Sequence, residues 1–360
     1  MKKRVGLIFG GRSGEHEVSL KSAATIAASL DLEKFELFPI FISREGKWYG
    51  PVEVEQISQV KWQDVVDREI ILPPRQGGEV LAARDGHLIT NLDFIFPIVH
   101  GTNGEDGILQ GFLEMLGVPY VGAGVAGSAV GMDKLLMREI LAYHQIPQTK
   151  FIGLRRHEVE TDLEHCLQCC EEALAYPRVI NPANGGSSVG ISKAANKEEL
   201  SKALEVAARY DRKIIVEQGV NAREIELSVL GNWDNLQVAH PGEIIAGNDF
   251  YDYEAKYVSQ ESVTKIPADL EAELVEKLQQ LALKVYEVLD CEGFARVDFF
   301  VEKDTQEIYL NEINTLPGFT SISMYPKMWE ADGLPIQQLL TKLLDLAEQR
   351  FVDRQRMAVE

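Results

Sequence analysis

Four polar residues near the end of the chain share one face of a predicted β-hairpin. Two segments of alternating apolar and polar residues, 294–301 and 307–314, flank a short polar turn, which is the pattern of a hairpin. The polar positions spaced two apart in these segments are Arg296, Asp298, Glu312 and Asn314. Side chains two residues apart lie on the same face of a strand. We therefore expect an arginine, two carboxylates and an amide to project together.

This combination predicts a site for a metal ion and phosphate. Two neighbouring carboxylates repel each other unless a cation lies between them, and the asparagine adds a neutral oxygen. Carboxylates shared with substrate phosphates are the usual ligands of Mg²⁺. We expect Asp298, Glu312 and Asn314 to bind the metal, with Arg296 as a fixed positive charge beside it. The alternative is an edge hairpin with one solvated face.

Composition excludes several classes of protein. The chain has 360 residues, 45% of them hydrophobic, which is enough for two or three domains with a sizeable core. A net charge of −20 argues against binding to nucleic acid, which needs a basic face. The opening MKKR precedes an apolar run that is too short for a signal peptide, and no segment reaches the ~20 apolar residues of a membrane span. We expect a cytoplasmic protein.

The cysteines favour a reducing compartment, because four cysteines in so long a chain do not form a disulfide framework. Cys166, Cys169 and Cys170 offer the C-x2-C spacing of zinc sites, but no second Cys or His pair follows. Their segment, LEHCLQCCEEAL, predicts a single helix. We interpret these residues as structural thiols.

Strand and helix signals alternate along the chain, which predicts the α/β class. A strand, a glycine turn and a helix over 15–30 open the chain, and a second strand, DFIFPIV, leads into His100. Ligands of parallel sheets bind beyond the carboxyl ends of the strands, where Glu17 and His100 are expected. The alternatives are a helix-dipole carboxylate and a capped loop histidine. GGRSGE lacks the G-x-G-x-x-G spacing of dinucleotide sites.

Three later segments could contact a ligand. Lys134 lies in the first turn of a helix predicted from about Met132 to before Pro147, where a cation is either solvated or present for an anion. The loop NGGSSVG suits a flap over phosphates or a flexible turn, but it is no P-loop, since it returns into a strand. The long loop GNDFYDYEAKYVSQES is typical of a functional lid.

Taken together, these motifs resemble those of the D-alanine:D-alanine ligase family of ATP-grasp ligases. The likeness runs in order through GGRSGEHEVS, HGTNGEDG, GMDK, NGGSSVG, YDYEAKY, FARVDFF and NEINTLPGFTSISMYP, and covers nearly the whole chain. It implies a three-domain ATP-grasp fold, with an N-terminal parallel-sheet, Rossmann-like domain over 1–122. Two α+β domains, over 123–217 and 218–360, would clamp ATP between them.

The resemblance also implies how ATP is held. Asp298, Glu312 and Asn314 would bind two Mg²⁺ ions on the ATP phosphates, and Mn²⁺ is expected to substitute. Lys134 would contact phosphate. The other residues that the resemblance places around ATP are Asn181, Ser188, Glu217, Gln218, Val220, Glu224 and Lys256.

For the reaction, the resemblance implies ligation of two D-alanines through an acyl phosphate, for peptidoglycan synthesis. Glu17 would take the ammonium of the first D-alanine, with His100 beside it. Arg296 and the backbone N–H of Gly318 would form an oxyanion hole, and Ser323 and Met324 would face the second D-alanine. The implied catalytic residues also include Ser187 in the phosphate flap and Tyr257 in the lid. A homodimer is expected, with D-alanine and ATP as its small-molecule partners.

The chain departs from the family pattern at Asn181, where the family usually has a lysine that meets the nucleotide phosphate. An amide offers hydrogen bonds but no charge, so we expect weaker ATP binding. Arg178 should face the opposite side of its strand. Met324 replaces a leucine at little change in volume, and Tyr257 favours an amide product. The alternatives are a sibling ligase that takes D-serine or D-lactate second, or an ATP-binding homologue whose turnover is impaired by Asn181.

Overall fold

The computed structural model describes residues 2–185, 190–245 and 263–356. Four sheets organise these residues, and helices pack on the sheet faces. The α/β prediction is confirmed. Four of the predicted site residues, Ser187, Ser188, Lys256 and Tyr257, lie outside the described residues, as does the predicted lid.

The first unit is built on a sheet with the order β3-β2-β1-β7, in which β2, β1 and β7 are parallel and β3 is antiparallel to β2. Its strands are β1 (Lys3–Gly10), β2 (Phe35–Ile42), β3 (Trp48–Tyr49) and β7 (Phe94–Ile98), and its helices are α1 (His16–Ser29) and α2 (Ile108–Leu116). A small antiparallel sheet contains β4 (Ile70–Ile71), β5 (Glu79–Ala82) and β6 (Leu88–Asn91), with 3-10 helices at Val54–Gln59, Trp62–Asp64 and Val66–Arg68. The strand, glycine turn and helix predicted for the start of the chain are confirmed.

The central unit is an antiparallel sheet with the order β10-β9-β11-β8. Its elements are α3 (Val125–Met132), α4 (Lys134–Tyr143), β8 (Phe151–Arg155), α5 (Arg156–Thr161), α6 (Leu163–Ala173), β9 (Arg178–Pro182), β10 (Ser192–Ala194), α7 (Lys197–Tyr210) and β11 (Lys213–Gln218). Asp133 caps α4 through its side chain, which accepts from the N–H of Leu136, so Lys134 is its first residue. The predicted cysteine helix is confirmed as α6, and burial raises the pKa of the Cys170 thiol to about 12.

The third unit contains a larger sheet with the main order β15-β14-β12-β16-β17, and β13 also pairs with β12. Its elements are β12 (Ala222–Gly231), β13 (Gln237–Val238), β14 (Gly242–Ile245), β15 (Val263–Lys265), α8 (Ala272–Val288), β16 (Gly293–Glu302), β17 (Ile308–Asn314), α9 (Met324–Ala331) and α10 (Ile336–Arg354). The predicted hairpin is confirmed as β16 and β17. Helix α8 begins at Ala272, since Glu271 is still extended.

The first and third units share one hydrophobic core, so the end of the chain packs against its first sheet. Phe319 lies between the two units, with its ring centroid 6.1 Å from Phe96 and 5.9 Å from Phe294. Tyr325 completes this aromatic group at 5.3 Å from Phe294. The boundaries predicted for the three domains stay a prediction, but this shared core holds the N-terminal sheet against the hairpin. Within the described ranges, no helix is long and apolar enough to cross a membrane.

Arg350 of α10 forms hydrogen bonds across the same junction between the first and third units, and its side chain is almost completely buried. It donates to the carbonyl oxygens of Gly122 and Tyr120, and its guanidinium lies 4.2 Å from the Tyr120 ring centroid. The carboxylate of Glu292 is 3.7 Å away. Burial raises the pKa of Glu292, so this arginine offsets part of the cost of charge in the interior.

We predict that Arg350→Met lowers the free energy of unfolding by about 3–5 kcal/mol, because it leaves a buried carboxylate and two carbonyls without their partner. Urea denaturation followed by circular dichroism measures this. Arg354→Met is the matched control on the same helix, since its pair with Glu114 is partly exposed and should contribute less than about 1 kcal/mol. Equal losses in the two variants would contradict the role given to Arg350.

Candidate active site

Three carboxylates lie side by side across three neighbouring strands of the third unit. The register places Glu226 of β12 opposite Asp298 of β16, and Asp298 opposite Glu312 of β17. Residues directly opposite have Cβ atoms about 5 Å apart and share a face. We call Glu226, Asp298 and Glu312 the carboxylate row. Sequence analysis missed Glu226, although the alternation in EIELSVL gave a signal for it.

Two cations hold the row together. The guanidinium of Arg296 donates to both oxygens of Asp298 at 2.7 Å each, and its Nε lies 3.2 Å from Glu226 Oε2. The Nζ of Lys134 lies 3.1 Å from Glu312 Oε2 and donates to the carbonyl oxygen of Gly185 at 3.1 Å. Burial alone would lower the pKa of each base, but the adjacent carboxylates outweigh it and raise both values. Both side chains are therefore charged near neutral pH.

The donor set suits magnesium. Among the residues that the structure describes, no three His, Cys, Asp or Glu side chains converge as a ready-made metal cage. Mg²⁺ does not need one, because it usually takes one or two carboxylates together with phosphate and water. Asn314 lies opposite Arg296, and its Oδ1 accepts from the N–H of Leu316 at 2.9 Å, which leaves a second lone pair.

On the central sheet, Glu217 is the centre of a buried polar cluster. Its carboxylate is paired with Arg138 and accepts from Thr149 Oγ1 at 3.3 Å. Asn181 Nδ2 donates to the other carboxylate oxygen at 3.1 Å, and Asn181 Oδ1 has no partner within the described part of the chain. Arg138 lies one helical turn after Lys134 on α4, and no pattern in the sequence pairs it with Glu217 of a distant strand.

Arg178 lies on the other face of β9, as strand alternation predicts. It is fully buried, donates to the carbonyl oxygen of Leu174 and pairs with Glu171 at 3.1 Å. It therefore does not replace the lysine that the family has at position 181.

Gln218 and Val220 follow at the end of β11, where the Gln218 Oε1 accepts from the N–H of Ala175 at 3.3 Å. Glu224 lies two residues before Glu226 on the same strand face.

His100 is buried at the junction between the first and third units. Its Nε2 lies 3.0 Å from Ser22 Oγ, and its Nδ1 lies 3.1 Å from the carbonyl oxygen of Leu316. Ser22 Oγ in turn accepts from the N–H of Phe319 at 3.1 Å. The imidazole thus links the first sheet to the loop that follows the hairpin. It helps to position this loop.

The two glutamates of SGEHE have different surroundings. Glu17 is exposed on α1, and its carboxylate pairs with Arg44 at 2.9 Å. Glu15 is half-buried, and a methyl group on Gly101 would lie 2.7 Å from its Oε2. The loop beneath it is fixed by Ser13 Oγ, which donates to the carbonyl oxygen of His100 at 2.7 Å. Of the two, Glu15 is the one whose carboxylate lies beside Gly101, the residue after His100 in the chain.

Gly318 and Ser323 lie together in the loop between β17 and α9. A methyl group on Gly318 would lie 2.8 Å from Ser323 Oγ, so a side chain there would collide with this hydroxyl. Ser323 Oγ accepts from the N–H of Thr320 at 3.0 Å. Met324 is almost completely buried and packs under Gly242, which makes it part of the wall behind the loop.

Family models match both ends of this arrangement. The D-ala D-ala ligase N-terminus model matches residues 4–123, and the D-ala D-ala ligase C-terminus model matches residues 140–345. A D-alanine--D-alanine ligase of Acetivibrio thermocellus is 46% identical, over 98% of this chain and 97% of its own length. One of Natranaerobius thermophilus is 47% identical, over 100% and 99%.

Solved structures give the same result. The VanG D-Ala:D-Ser ligase of Enterococcus faecalis has a TM-score of 0.87 and 37% identity, covering 96% of this chain and 100% of that one. The D-alanine-D-alanine ligase of Coxiella burnetii has a TM-score of 0.85 and 36% identity, covering 99% and 96%. The fold and the carboxylate row define an ATP-grasp ligase, and the predicted architecture is confirmed. The chain belongs to the D-alanine--D-alanine ligase family.

We predict that Asn181→Lys lowers the KM for ATP by about tenfold, since one new charged contact to phosphate contributes roughly 1.5 kcal/mol or more. Steady-state kinetics with varied ATP measure this. Asn184→Lys is the matched control, because it adds the same charge three residues further on, where the side chain bonds to Asp211 at 2.9 Å. An unchanged KM in Asn181→Lys would mean that another group, such as Arg138, already supplies the charge.

Proposed function

We propose that the protein joins two D-alanines to D-alanyl-D-alanine, using ATP and releasing ADP and phosphate. The observation that carries this proposal is the meeting of two sets of groups at one junction. Lys134 and the carboxylate row form a face suited to phosphate and metal, and the loop from Gly318 to Ser323 joins that face to His100. The names of the full-length relatives support the choice of substrate.

The nucleotide side would lie between the central and third sheets. Glu217, Gln218, Val220 and Glu224 follow the end of β11 and the start of β12, and they would line the adenine and ribose pocket. Lys134 would contact a phosphate, with Asn181 nearby and Ser188 and Lys256 expected from the sequence. Lys134 is placed by the capped first turn of α4 and would exchange its contact with Glu312 for a phosphoryl oxygen.

Asp298 and Glu312 of the carboxylate row, together with Asn314, would hold magnesium. We propose two ions, for which Mn²⁺ could substitute. When bound there, the metal neutralises negative charge on the phosphoryl oxygens during transfer. The chain contributes oxygen donors and the Arg296 guanidinium, whose positions are set by strand register, and Lys134, whose position is set by the first turn of α4.

The amino-acid side would bind the first D-alanine beside His100. Its carboxylate would attack the γ-phosphate to form an acyl phosphate. The ammonium needs a carboxylate partner, and the structure favours Glu15 over Glu17 for this role, because Glu17 is exposed and paired with Arg44. This preference differs from the expectation from the sequence.

The second step joins the two amino acids. The amine of the second D-alanine would attack the acyl carbonyl, and phosphate would leave. The tetrahedral oxyanion would be met by the guanidinium of Arg296 and the backbone N–H of Gly318, donors that exist before the charge develops. Ser323 would face the second D-alanine from the same loop, with Met324 behind it. Water must be excluded to protect the acyl phosphate, which is the role expected of the lid that carries Tyr257.

A sibling activity is the second candidate. The likeness to a D-Ala:D-Ser ligase favours D-serine as the alternative second substrate. The cysteines support the proposed cytoplasmic location, since all four are free thiols. A role in peptidoglycan synthesis and a homodimeric assembly belong to the proposal.

Phosphate release from ATP, with the product identified by mass, tests the proposal. We expect D-alanine-dependent release and a mass equal to that of D-alanyl-D-alanine. A mixed product in the presence of D-alanine and D-serine would favour the sibling activity. Nucleotide binding without D-alanine-dependent release at millimolar D-alanine would identify a homologue with impaired turnover and overturn the proposal.

The two glutamates give a matched pair for the amino-acid site. We predict that Glu15→Gln raises the KM for D-alanine by roughly 10–100-fold, because the ammonium loses a charged hydrogen-bond acceptor. Glu17→Gln removes only an exposed ion pair and should change the KM by less than about fivefold. Phosphate release at varied D-alanine measures both. The reverse order of effects would restore Glu17 to the site.

A further inference from the structure

Glu226 is the member of the carboxylate row that has no role in the proposed reaction. It lies opposite Asp298 in the register of β12 and β16, and its side chain is almost fully buried. The register also places Ser228 opposite Arg296 and Arg296 opposite Asn314, so the arginine lies one row away on the same face. Burying a carboxylate costs free energy, so its contacts must offset that cost.

What it contacts is the guanidinium that also holds Asp298. Arg296 donates to both Asp298 oxygens at 2.7 Å, while its Nε lies 3.2 Å from Glu226 Oε2. Asp298 thereby has two tasks under the proposed function, as partner of Arg296 and as ligand of magnesium. A guanidinium bound to both oxygens of a carboxylate competes with a metal ion for the negative charge of that carboxylate.

If Asp298 binds the metal instead of Arg296, the guanidinium of Arg296 needs another anion. If Asp298 turned to the metal and Arg296 had no second anion, a buried guanidinium would remain without a counter-charge, which is strongly unfavourable. Arg296 would then stay on Asp298 and oppose metal binding, or it would leave the position needed for the oxyanion. Glu226 is already within contact distance of Nε and lies on the side of Arg296 away from Glu312.

We propose that Glu226 is a positioning residue, which retains the guanidinium of Arg296 when Asp298 releases it to the metal. This inference rests on the proposed function of the carboxylate row. Glu226 touches neither substrate nor metal in this role. It acts through Arg296, by giving the arginine a second carboxylate partner in its catalytic position.

Binding of Mn²⁺ tests this without turnover. In Glu226→Gln, Arg296 loses one of its two contacting carboxylates and stays on Asp298, so we expect Mn²⁺ to bind about tenfold more weakly in the presence of a non-hydrolysable ATP analogue. Electron paramagnetic resonance of free Mn²⁺ measures this. Glu226→Asp retains the charge and should recover most of the affinity. The kcat should fall by about 10–100-fold in Glu226→Gln and partly recover in Glu226→Asp.

Glu243→Gln is the matched control. Glu243 is also buried and paired with an arginine, Arg223 at 2.7 Å, but it lies opposite Ile225, on the other face of the same sheet. Its loss should lower stability and leave Mn²⁺ affinity unchanged. Melting temperatures of all variants show that each compared protein is folded.

A double-mutant cycle separates positioning from direct ligation. In an Arg296→Ala background, Glu226→Gln should have no further effect on Mn²⁺ affinity, because the arginine it restrains is gone. An equal, additive loss in that background would overturn the proposal and make Glu226 a metal ligand. Unchanged Mn²⁺ affinity in the single variant would also overturn it. The cycle can be measured even if wild-type protein shows no D-alanine-dependent phosphate release, so failure of the proposed function is distinguishable.

Discussion

The arrangement of the site depends on a row of negative charge buried across three strands. Glu226, Asp298 and Glu312 lie side by side because strand register leaves them no alternative. Carboxylates at this spacing repel strongly where water is scarce, so the surrounding structure must supply cations. Arg296 comes from the same strand as Asp298, and Lys134 comes from the first turn of a helix in the central unit. The need for charge balance thus joins two units of the chain.

The same charge balance supports the proposed exchange of partners at the site. Each of the two cations contacts a carboxylate that is a proposed metal ligand. Each also contacts a second acceptor. Lys134 donates to the carbonyl oxygen of Gly185, and Arg296 reaches Glu226 as well as Asp298. A site that holds its ligands in place with internal cations keeps them ordered before nucleotide arrives. Under the proposed function, phosphate and metal would replace existing ion pairs, at little cost in rearrangement.

Hydrogen bonds also fix the junction between the first and third units, where we propose that the amino acids bind. His100 is held by Ser22 and by the carbonyl oxygen of Leu316, and Ser22 also receives the N–H of Phe319. The loop that carries Gly318 is therefore tied to helix α1 by direct hydrogen bonds. Phe319 anchors the same loop in the aromatic core. A shift of either unit would move both the proposed ammonium site and the proposed oxyanion donors.

The sequence by itself determined the α/β class, the hairpin and the face shared by Arg296, Asp298 and Glu312, because strand alternation is a local property. It also supplied the family through motifs in order along the chain. The tertiary structure decided which distant groups meet those residues. Glu226 joined the row through register between strands some seventy positions apart, and Glu15 rather than Glu17 was brought beside Gly101 by the packing of a loop. Such contacts depend on strand pairing and loop packing between distant parts of the chain, which no local pattern encodes.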